Sequence, residues 1–131
     1  MKNIESKKSI YLEEFDIHVN PYLAYAEIQT IANAIHQFHT WAERQQNEDM
    51  LILHFATDIT DEEIEKIGYN ILYNSGLVDA VKSNIVNYYE IYHAVEYLES
   101  TQRALAQIIN QINSNMKNIE TAVKKNAASK K

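Results

Sequence analysis

Apolar residues recur at steps of three and four between Ile91 and Val123, in a stretch that contains no proline or glycine. This spacing is typical of a helix that packs against another helix along one face. The repeat is interrupted once, at Gln102, which occupies a heptad position that is otherwise apolar. The pattern predicts a long terminal helix over about residues 88–123.

The length of this apolar seam has a consequence for packing. Its 33 residues correspond to a helix of about 50 Å, whereas a body of about ninety residues has a diameter of only about 30 Å. We therefore expect the far part of the seam to contact a partner helix, through Leu105, Ile109, Ile112, Met116 and Ile119. The alternative is a break in the helix at 113–115, "NSN", after which it folds back on its own domain. The mixture of Ile and Leu at the d positions leaves the number of helices open.

Two earlier helices are predicted from apolar spacing and from a capping residue. The first starts after Pro21 and continues to Phe38. The second begins at Thr40, which is followed three residues later by Glu43, as in a capping box. The run "MLILHF" in this second helix is apolar nearly all round, which favours a buried position at the centre of the domain.

Three further helices complete the predicted domain. Thr60 and Glu63 form another capping box, and Gly76 is placed to end the helix that they begin. A short helix over residues 77–84 follows, and Asn87 is predicted to cap the long terminal helix. The predicted fold is all-α, a bundle of four to five helices that ends in the long heptad helix.

The two ends of the chain lack this pattern. Residues 1–9 are predicted to be disordered, and residues 124–131 to be a basic, disordered tail. Residues 10–20 alternate imperfectly between apolar and polar, but no second convincing strand is available to pair with them. We therefore expect an extended arm there. Residues 10–123 are expected to form a single helical domain.

Composition supports helices with short connections and excludes several chemistries. The 131 residues include two glycines, one proline and no cysteine. Few residues are thus suited to hairpin turns or phosphate-binding loops, and thiolate metal sites and cysteine nucleophiles are excluded. No apolar run approaches a membrane span, and the start lacks the apolar core of a signal peptide. We expect no membrane partner and a location in the cytoplasm.

Charge is distributed unevenly along the chain. Residues 1–100 contain 17 acidic against 6 basic side chains, and residues 101–131 contain one acidic against six basic. An acidic body does not suit nucleic acid, because phosphate contacts need a basic face. We expect no nucleic-acid partner.

Candidate catalytic and metal-binding residues do not form a convincing constellation. His36, His39 and Glu43 have a spacing that would share one helix face, but Thr40 begins a new helix between them. Helix capping also explains the acidic residues around Thr60 better than a calcium loop does. His54, beside an apolar run, is interpreted as a core histidine bonded to a neighbour. We expect neither an enzyme nor a bound cofactor or metal.

Tyrosine is unusually frequent, with nine residues in the chain. Tyr88, Tyr89 and Tyr92 cluster at the start of the terminal helix. Tyrosine is enriched at interfaces because it buries a large ring while its hydroxyl remains bonded. These three residues are candidate interface anchors, and packing between helices is the equal alternative.

The segments "NPYLAYAEIQTI", "HFATDITDEEIEKIG" and "SGLVDAVK" resemble a group of small helical proteins encoded by tailed phages of Gram-positive bacteria. The resemblance covers roughly residues 15–110 and implies a role in the virion or its assembly, in the host cytoplasm or the particle. We expect a non-enzymatic structural or assembly protein that acts through helix-mediated homo-oligomerisation or docking in a larger assembly. The alternative is a small acidic inhibitor that binds a basic surface of a host protein such as a defence nuclease.

Overall fold

The computed structural model describes residues 8–129, and the predicted disorder of residues 1–7 lies outside that range. The described residues form six helices and one small antiparallel sheet, so the chain is mostly helical, as predicted. Arrangement of the helices as a bundle stays a prediction. The elements are β1 (Ile10–Leu12), β2 (Ile17–Val19), α1 (Tyr25–His36), α2 (Trp41–Ala56), α3 (Asp61–Ile67), α4 (Tyr69–Asn74), α5 (Leu77–Ser83) and α6 (Tyr89–Ser129).

The extended arm predicted over residues 10–20 is wrong, because this segment folds into a β-hairpin. Strands β1 and β2 pair in antiparallel register, with Tyr11 opposite His18. Asp16 takes a φ of 51°, a left-handed conformation that Asp tolerates better than most residues. Its carboxylate accepts a hydrogen bond from the Tyr11 hydroxyl at 2.6 Å. Both strands of the pair therefore lie within residues 10–20.

The hairpin is attached to the end of α2. Val19 forms a β-bridge with Thr57, and the Asn20 N–H donates to the Ala56 carbonyl at 2.7 Å. Asp58 accepts from both the backbone N–H and the ring of His18, each at 2.9 Å. These two bonds, the backbone one first, hold the pKa of Asp58 below its usual value. The backbone groups that a lone strand would leave unpaired are satisfied in this way.

Both predicted threonine caps are present. Thr40 accepts a hydrogen bond from the Glu43 N–H at the start of α2. Thr60 and Glu63 form the complete reciprocal box at the start of α3. Asn87 does not act as the predicted side-chain cap of α6. Its amide instead bonds both backbone groups of Leu23, at 2.9 and 3.0 Å.

The helix predicted from Thr60 to Gly76 is divided in two at Gly68. Gly68 has φ 86° and ψ 151°, a combination essentially restricted to glycine. It separates α3 from α4, which accounts for six helices where four or five were predicted. Gly76, with φ 84° and ψ 0°, lies in the left-handed region between α4 and α5 and ends α4 as predicted.

The core of the first part of the chain lies around α1, α2 and α5. Helix α1 packs on α2, and α2 on α5. Helix α2 buries Ile52, Leu53 and Ala56 along one face, together with two acidic residues described below. Helix α2 was predicted to lie at the buried centre of the domain, and it packs on both α1 and α5, although Trp41 is exposed and His54 is about half exposed. The fully buried apolar side chains include Val19, Ile31, Ile52, Leu53, Val78, Val81 and Ile91.

Helix α6 is continuous over 41 residues, from Tyr89 to Ser129. It passes through residues 113–115 without a break, so the predicted fold-back alternative does not occur. It also includes residues 124–129, which were predicted to be disordered; residues 130–131 lie outside the described range. The chain divides within α6 into two compact units, the first ending at Glu96 and the second starting at Tyr97, where a single domain over 10–123 was predicted.

Substitution of the two glycines should separate two kinds of backbone strain. At either position an added Cβ would meet no atom within 4 Å, so only the backbone conformation is disfavoured. We expect Gly76→Ala to cost about 1 kcal/mol of unfolding free energy and Gly68→Ala about 2–3 kcal/mol, because its ψ is unfavourable as well. Urea unfolding of both variants tests this, and an equal loss at the two positions would contradict it.

Candidate interaction surface and buried charge cluster

The second unit carries an apolar stripe on α6, defined here as Leu105, Ile108, Ile109, Ile112, Met116, Ile119 and Val123. Each of these side chains is between 51% and 63% exposed. The stripe contains all five residues predicted for helix contact. Soluble proteins rarely expose contiguous apolar patches larger than a few hundred Å². The stripe is therefore a candidate protein interaction surface.

The free energy available from covering the stripe is substantial. Full burial of one such side chain contributes about 1.5–3 kcal/mol, and roughly half of that is available here because each is half exposed. Covering seven such residues contributes on the order of 5–10 kcal/mol per helix. Association costs an estimated 4–15 kcal/mol, so contributions from two or more helices can offset it.

Helix α6 also needs support that its own residues do not supply. Every residue from Ser100 to Ala128 is exposed. Asn113, Ser114 and Asn115 have low helix propensity. Tertiary packing supplies most helical stability in proteins. Contact along the stripe is the means by which this helix would gain it.

The three tyrosines predicted as interface anchors do not share one role. Tyr88 is partly buried, and its hydroxyl bonds a buried carboxylate. Tyr89 is 57% exposed and contacts the ring of His93 edge-on. Tyr92 is half exposed, and its ring packs edge-on against Tyr88 with centroids 5.4 Å apart. Tyr89 and Tyr92 stay candidates for contact with a partner, whereas Tyr88 serves the interior of the first unit.

The interior of the first unit contains a charge cluster that the sequence reading missed. Glu48 and Asp49 are consecutive residues of α2 and are 3% and 0% exposed. Lys82, on α5, contacts both, with its Nζ 3.5 Å from Glu48 and in direct contact with Asp49 Oδ1. Two carboxylates and one ammonium are thus removed from water together. Burial of this kind is costly unless the charges are paired and hydrogen bonded.

Hydroxyl and amide donors complete the cluster. Tyr69 donates to Asp49 Oδ2 at 2.7 Å, and the Gln45 amide donates to the same carboxylate. Tyr88 donates to Glu48 Oε1 at 2.7 Å. The hydroxyls of Tyr88 and Tyr92 are 2.6 Å apart. A carboxylate only accepts hydrogen bonds, so the Tyr88 hydroxyl donates its single proton to Glu48. In the bond between the two tyrosines, the Tyr92 hydroxyl is therefore the donor and the Tyr88 oxygen the acceptor.

The cluster shifts the titration of its members. Burial raises the pKa of Tyr69, and its hydrogen bond to Asp49 raises it further. The pKa of Tyr88 is raised by burial and by its bonds to Tyr92 and Glu48. For Lys82, burial lowers the pKa, but the bond to Asp49 and the charges of both carboxylates outweigh that effect and raise it. Each shift favours the protonated form found at neutral pH.

The geometry assigns this cluster to stability. All four carboxylate oxygens of Glu48 and Asp49 already have a donor or cation. A cavity of about 170 Å³ borders Glu48. Its other lining residues are Ile35, Trp41, Arg44, Gln45, Tyr92 and Val95. The carboxylate at this cavity is held by Tyr88 and Lys82, so it is not placed as a general base awaiting a proton.

The other sequence candidates do not gather into a site. Within residues 8–129, no group of three or more histidine or acidic side chains is arranged to hold a metal ion. His54 is bonded to Asp61 at 2.6 Å near the surface, so the prediction of a core histidine is wrong. None of the helices in the described part of the chain has a stretch long and apolar enough to cross a membrane.

A signal for the cluster was present in the sequence but ambiguous. The buried face of α2 consists of residues 48, 49, 52, 53 and 56, which is the spacing of one helix face. Glu48 and Asp49 are in register with that face, and Lys82 lies four residues after the buried Val78. Acidic residues are almost never fully buried unless they are paired. Their pairing with Lys82, which lies on a different helix, could not be predicted from spacing.

Comparisons with protein families, with curated proteins and with solved structures find no match for this chain.

Removal of the cation should destabilise the first unit strongly. Lys82→Met leaves two buried carboxylates without a counter-charge, and we expect a loss of about 3–5 kcal/mol in unfolding free energy. Lys66→Met removes an exposed lysine on α3 and is the matched control, expected to change stability by less than about 0.5 kcal/mol. Urea unfolding of both variants decides, and equal effects would argue against a buried ion cluster.

The same groups predict loss of stability in alkali. Lys82, Tyr69 and Tyr88 have raised folded-state pKa values. Their contribution is complete below their unfolded values of 10.0 to 10.5 and is lost as the pH rises through the folded values. We expect the unfolding free energy to decline from about pH 10 upward. The decline should be shallower in Tyr88→Phe, and an unchanged slope in that variant would refute this origin.

Proposed function

We propose that this protein is a non-enzymatic assembly component that associates with further copies of itself through the apolar stripe on α6. The observation that carries the proposal is the continuous exposure of the seven stripe residues along one helix face. Contiguous exposed apolar faces of this kind mark protein–protein interaction sites.

The distribution of charge supports this proposal. Glu99, Arg103, Lys117 and Glu120 are the charged residues of α6 between Tyr97 and Val123. None of them occupies an a or d position of the heptad. The seam is interrupted only by the uncharged Gln102, so two copies can approach along it without burying a charge.

A role in a phage particle is the most concrete form of the proposal, and its support is the resemblance described above. An assembly component needs a stable body and a surface that drives association. The charge cluster would serve the first need and the stripe the second.

The acidic inhibitor is the second candidate, and the acidic surplus of residues 1–100 supports it. Glu48 and Asp49 contribute to that surplus, but they are buried and paired with Lys82. Less of the acidic charge is therefore available to a basic partner than the sequence suggests, and we prefer the assembly role.

A charge placed in the stripe should abolish self-association. We expect the intact chain to form oligomers in sedimentation equilibrium. We expect Ile112→Asp to weaken the association by roughly 100-fold or more, because an apolar contact is lost and a charge is buried in each copy.

Ser114→Asp is the matched control, since it introduces the same charge two residues away on the outward face of the helix. It should leave the association constant nearly unchanged. If the wild-type chain sediments as a monomer at every concentration, the self-association proposal is wrong. If both variants weaken association equally, the stripe is not the contact surface.

A further inference from the structure

We infer that the cavity beside the charge cluster is a binding site for a small neutral molecule whose planar ring carries an O–H or N–H group. This inference does not depend on the self-association proposed above, because every residue that lines the cavity belongs to the first unit. It follows from the size of the cavity, from its aromatic and aliphatic walls, and from the hydrogen bonds that its polar residues already make.

The cavity has the size of a single ring. Its volume is about 170 Å³, and an apolar cavity of about 150 Å³ is large enough to bind benzene. Its apolar walls are Ile35 and Val95, which are 7% and 9% exposed, and the rings of Trp41 and Tyr92. Aromatic rings pack favourably against one another in edge-on or offset arrangements. These walls therefore suit a planar ring better than a flexible chain.

Two polar residues of the cavity leave hydrogen-bond acceptors for a ligand. Tyr92 donates its only hydroxyl proton to Tyr88, so the Tyr92 oxygen can form a further bond only as an acceptor. The Gln45 amide nitrogen lies 3.1 and 3.3 Å from the two carboxylate oxygens of Asp49, which leaves the Gln45 carbonyl oxygen as an acceptor. A ligand that donates a hydrogen bond is therefore favoured over one that has no donor, since a buried acceptor without a partner is unfavourable.

The charges around the cavity favour a neutral ligand. Glu48 lines the cavity, but it is 3% exposed and already paired with Lys82. Arg44 also lines the cavity. The carboxylates of Glu48 and Asp49 are thus matched in number by the cations of Lys82 and Arg44, and no net charge is left for an ionic ligand to neutralise. Burial of a further ion beside them would be costly.

Trp41 provides a direct readout of this site. It is the only tryptophan in the chain, so its indole N–H gives a single signal in a nitrogen-correlated proton NMR spectrum. Phenol is the probe, because it is a neutral, planar ring with one O–H donor. Titration of the intact chain with phenol should shift the Trp41 signal in a saturable way, with a Kd on the order of 1 mM for a ligand of this size.

Toluene and benzoate separate the classes of ligand. Toluene has nearly the shape of phenol but lacks the donor, and it leaves water more readily. A merely apolar hole would therefore bind toluene more tightly than phenol. We expect phenol to bind about tenfold more tightly than toluene and at least about tenfold more tightly than the benzoate anion. Toluene or benzoate binding as tightly as phenol would overturn the assignment, and so would the absence of any saturable shift.

Substitutions in the cavity locate the binding site. Tyr92→Phe keeps the ring wall but removes an acceptor oxygen, so it should reduce the affinity for phenol to that for toluene and leave toluene binding unchanged. Tyr89→Phe is the matched control, because Tyr89 is 57% exposed and does not line the cavity. It should change neither affinity. Val95→Phe fills the cavity and should abolish binding of both molecules.

Urea unfolding verifies that each variant is folded, and Tyr92→Phe decides alone if Val95→Phe does not fold. Phenol binding that is unchanged in Tyr92→Phe would overturn the role of the acceptor. Phenol binding that is unchanged in a folded Val95→Phe would overturn the location of the site.

A tyrosine side chain of a second copy would present the same phenol ring, and sedimentation equilibrium distinguishes that source from a free molecule. We expect saturation with phenol to leave the mass of the associated chain unchanged, because the proposed association uses the stripe on α6. A shift toward the monomer that depends on phenol would overturn the assignment to a free molecule. A monomer both with and without phenol would overturn the proposed function alone.

Discussion

The first unit is organised around two adjacent carboxylates that lie inside the protein. Glu48 and Asp49 cannot be withdrawn from water without donors and a counter-charge. Those groups come from α4, from α5 and from the residue just before α6, through Tyr69, Lys82 and Tyr88. Distant segments of the chain are thus held to α2 by polar bonds of defined geometry. Apolar packing alone tolerates alternatives more readily than a network in which every oxygen has an assigned partner.

The two units of the chain bury their apolar residues to different extents. In the first unit, residues such as Ile52, Leu53 and Val81 are fully buried. In the second unit, a single helix carries apolar residues at the same helical spacing, and these remain about half exposed. A single helix cannot bury its own apolar face, so this face is left about half exposed in the second unit. The heptad pattern of α6 is therefore a pattern for association, as we propose, and the patterns of α1, α2 and α5 are patterns for folding.

The sequence predicted those features that depend on residues close together in the chain. The threonine caps at Thr40 and Thr60, the left-handed Gly76 and the seam of α6 all follow from neighbours within about one heptad. The predictions were wrong where a local sequence pattern was compatible with two different structures. Gly68 was compatible with a continuous helix until its backbone conformation was seen. The hairpin was missed because three-residue strands are too short to show a clear alternation. The backbone of Val19 also forms a β-bridge with Thr57, which is far away along the chain.

By itself, the sequence determined that the chain is mostly helical, where most of its helices start, and that its last helix carries an apolar seam. These properties depend on propensity, capping and periodicity, which act over a few residues. Only the tertiary structure decided that Glu48 and Asp49 lie in the core with Lys82, that Tyr88 bonds one of them, and that the stripe remains exposed. Burial and pairing depend on which distant side chains meet, and spacing along one chain does not specify that.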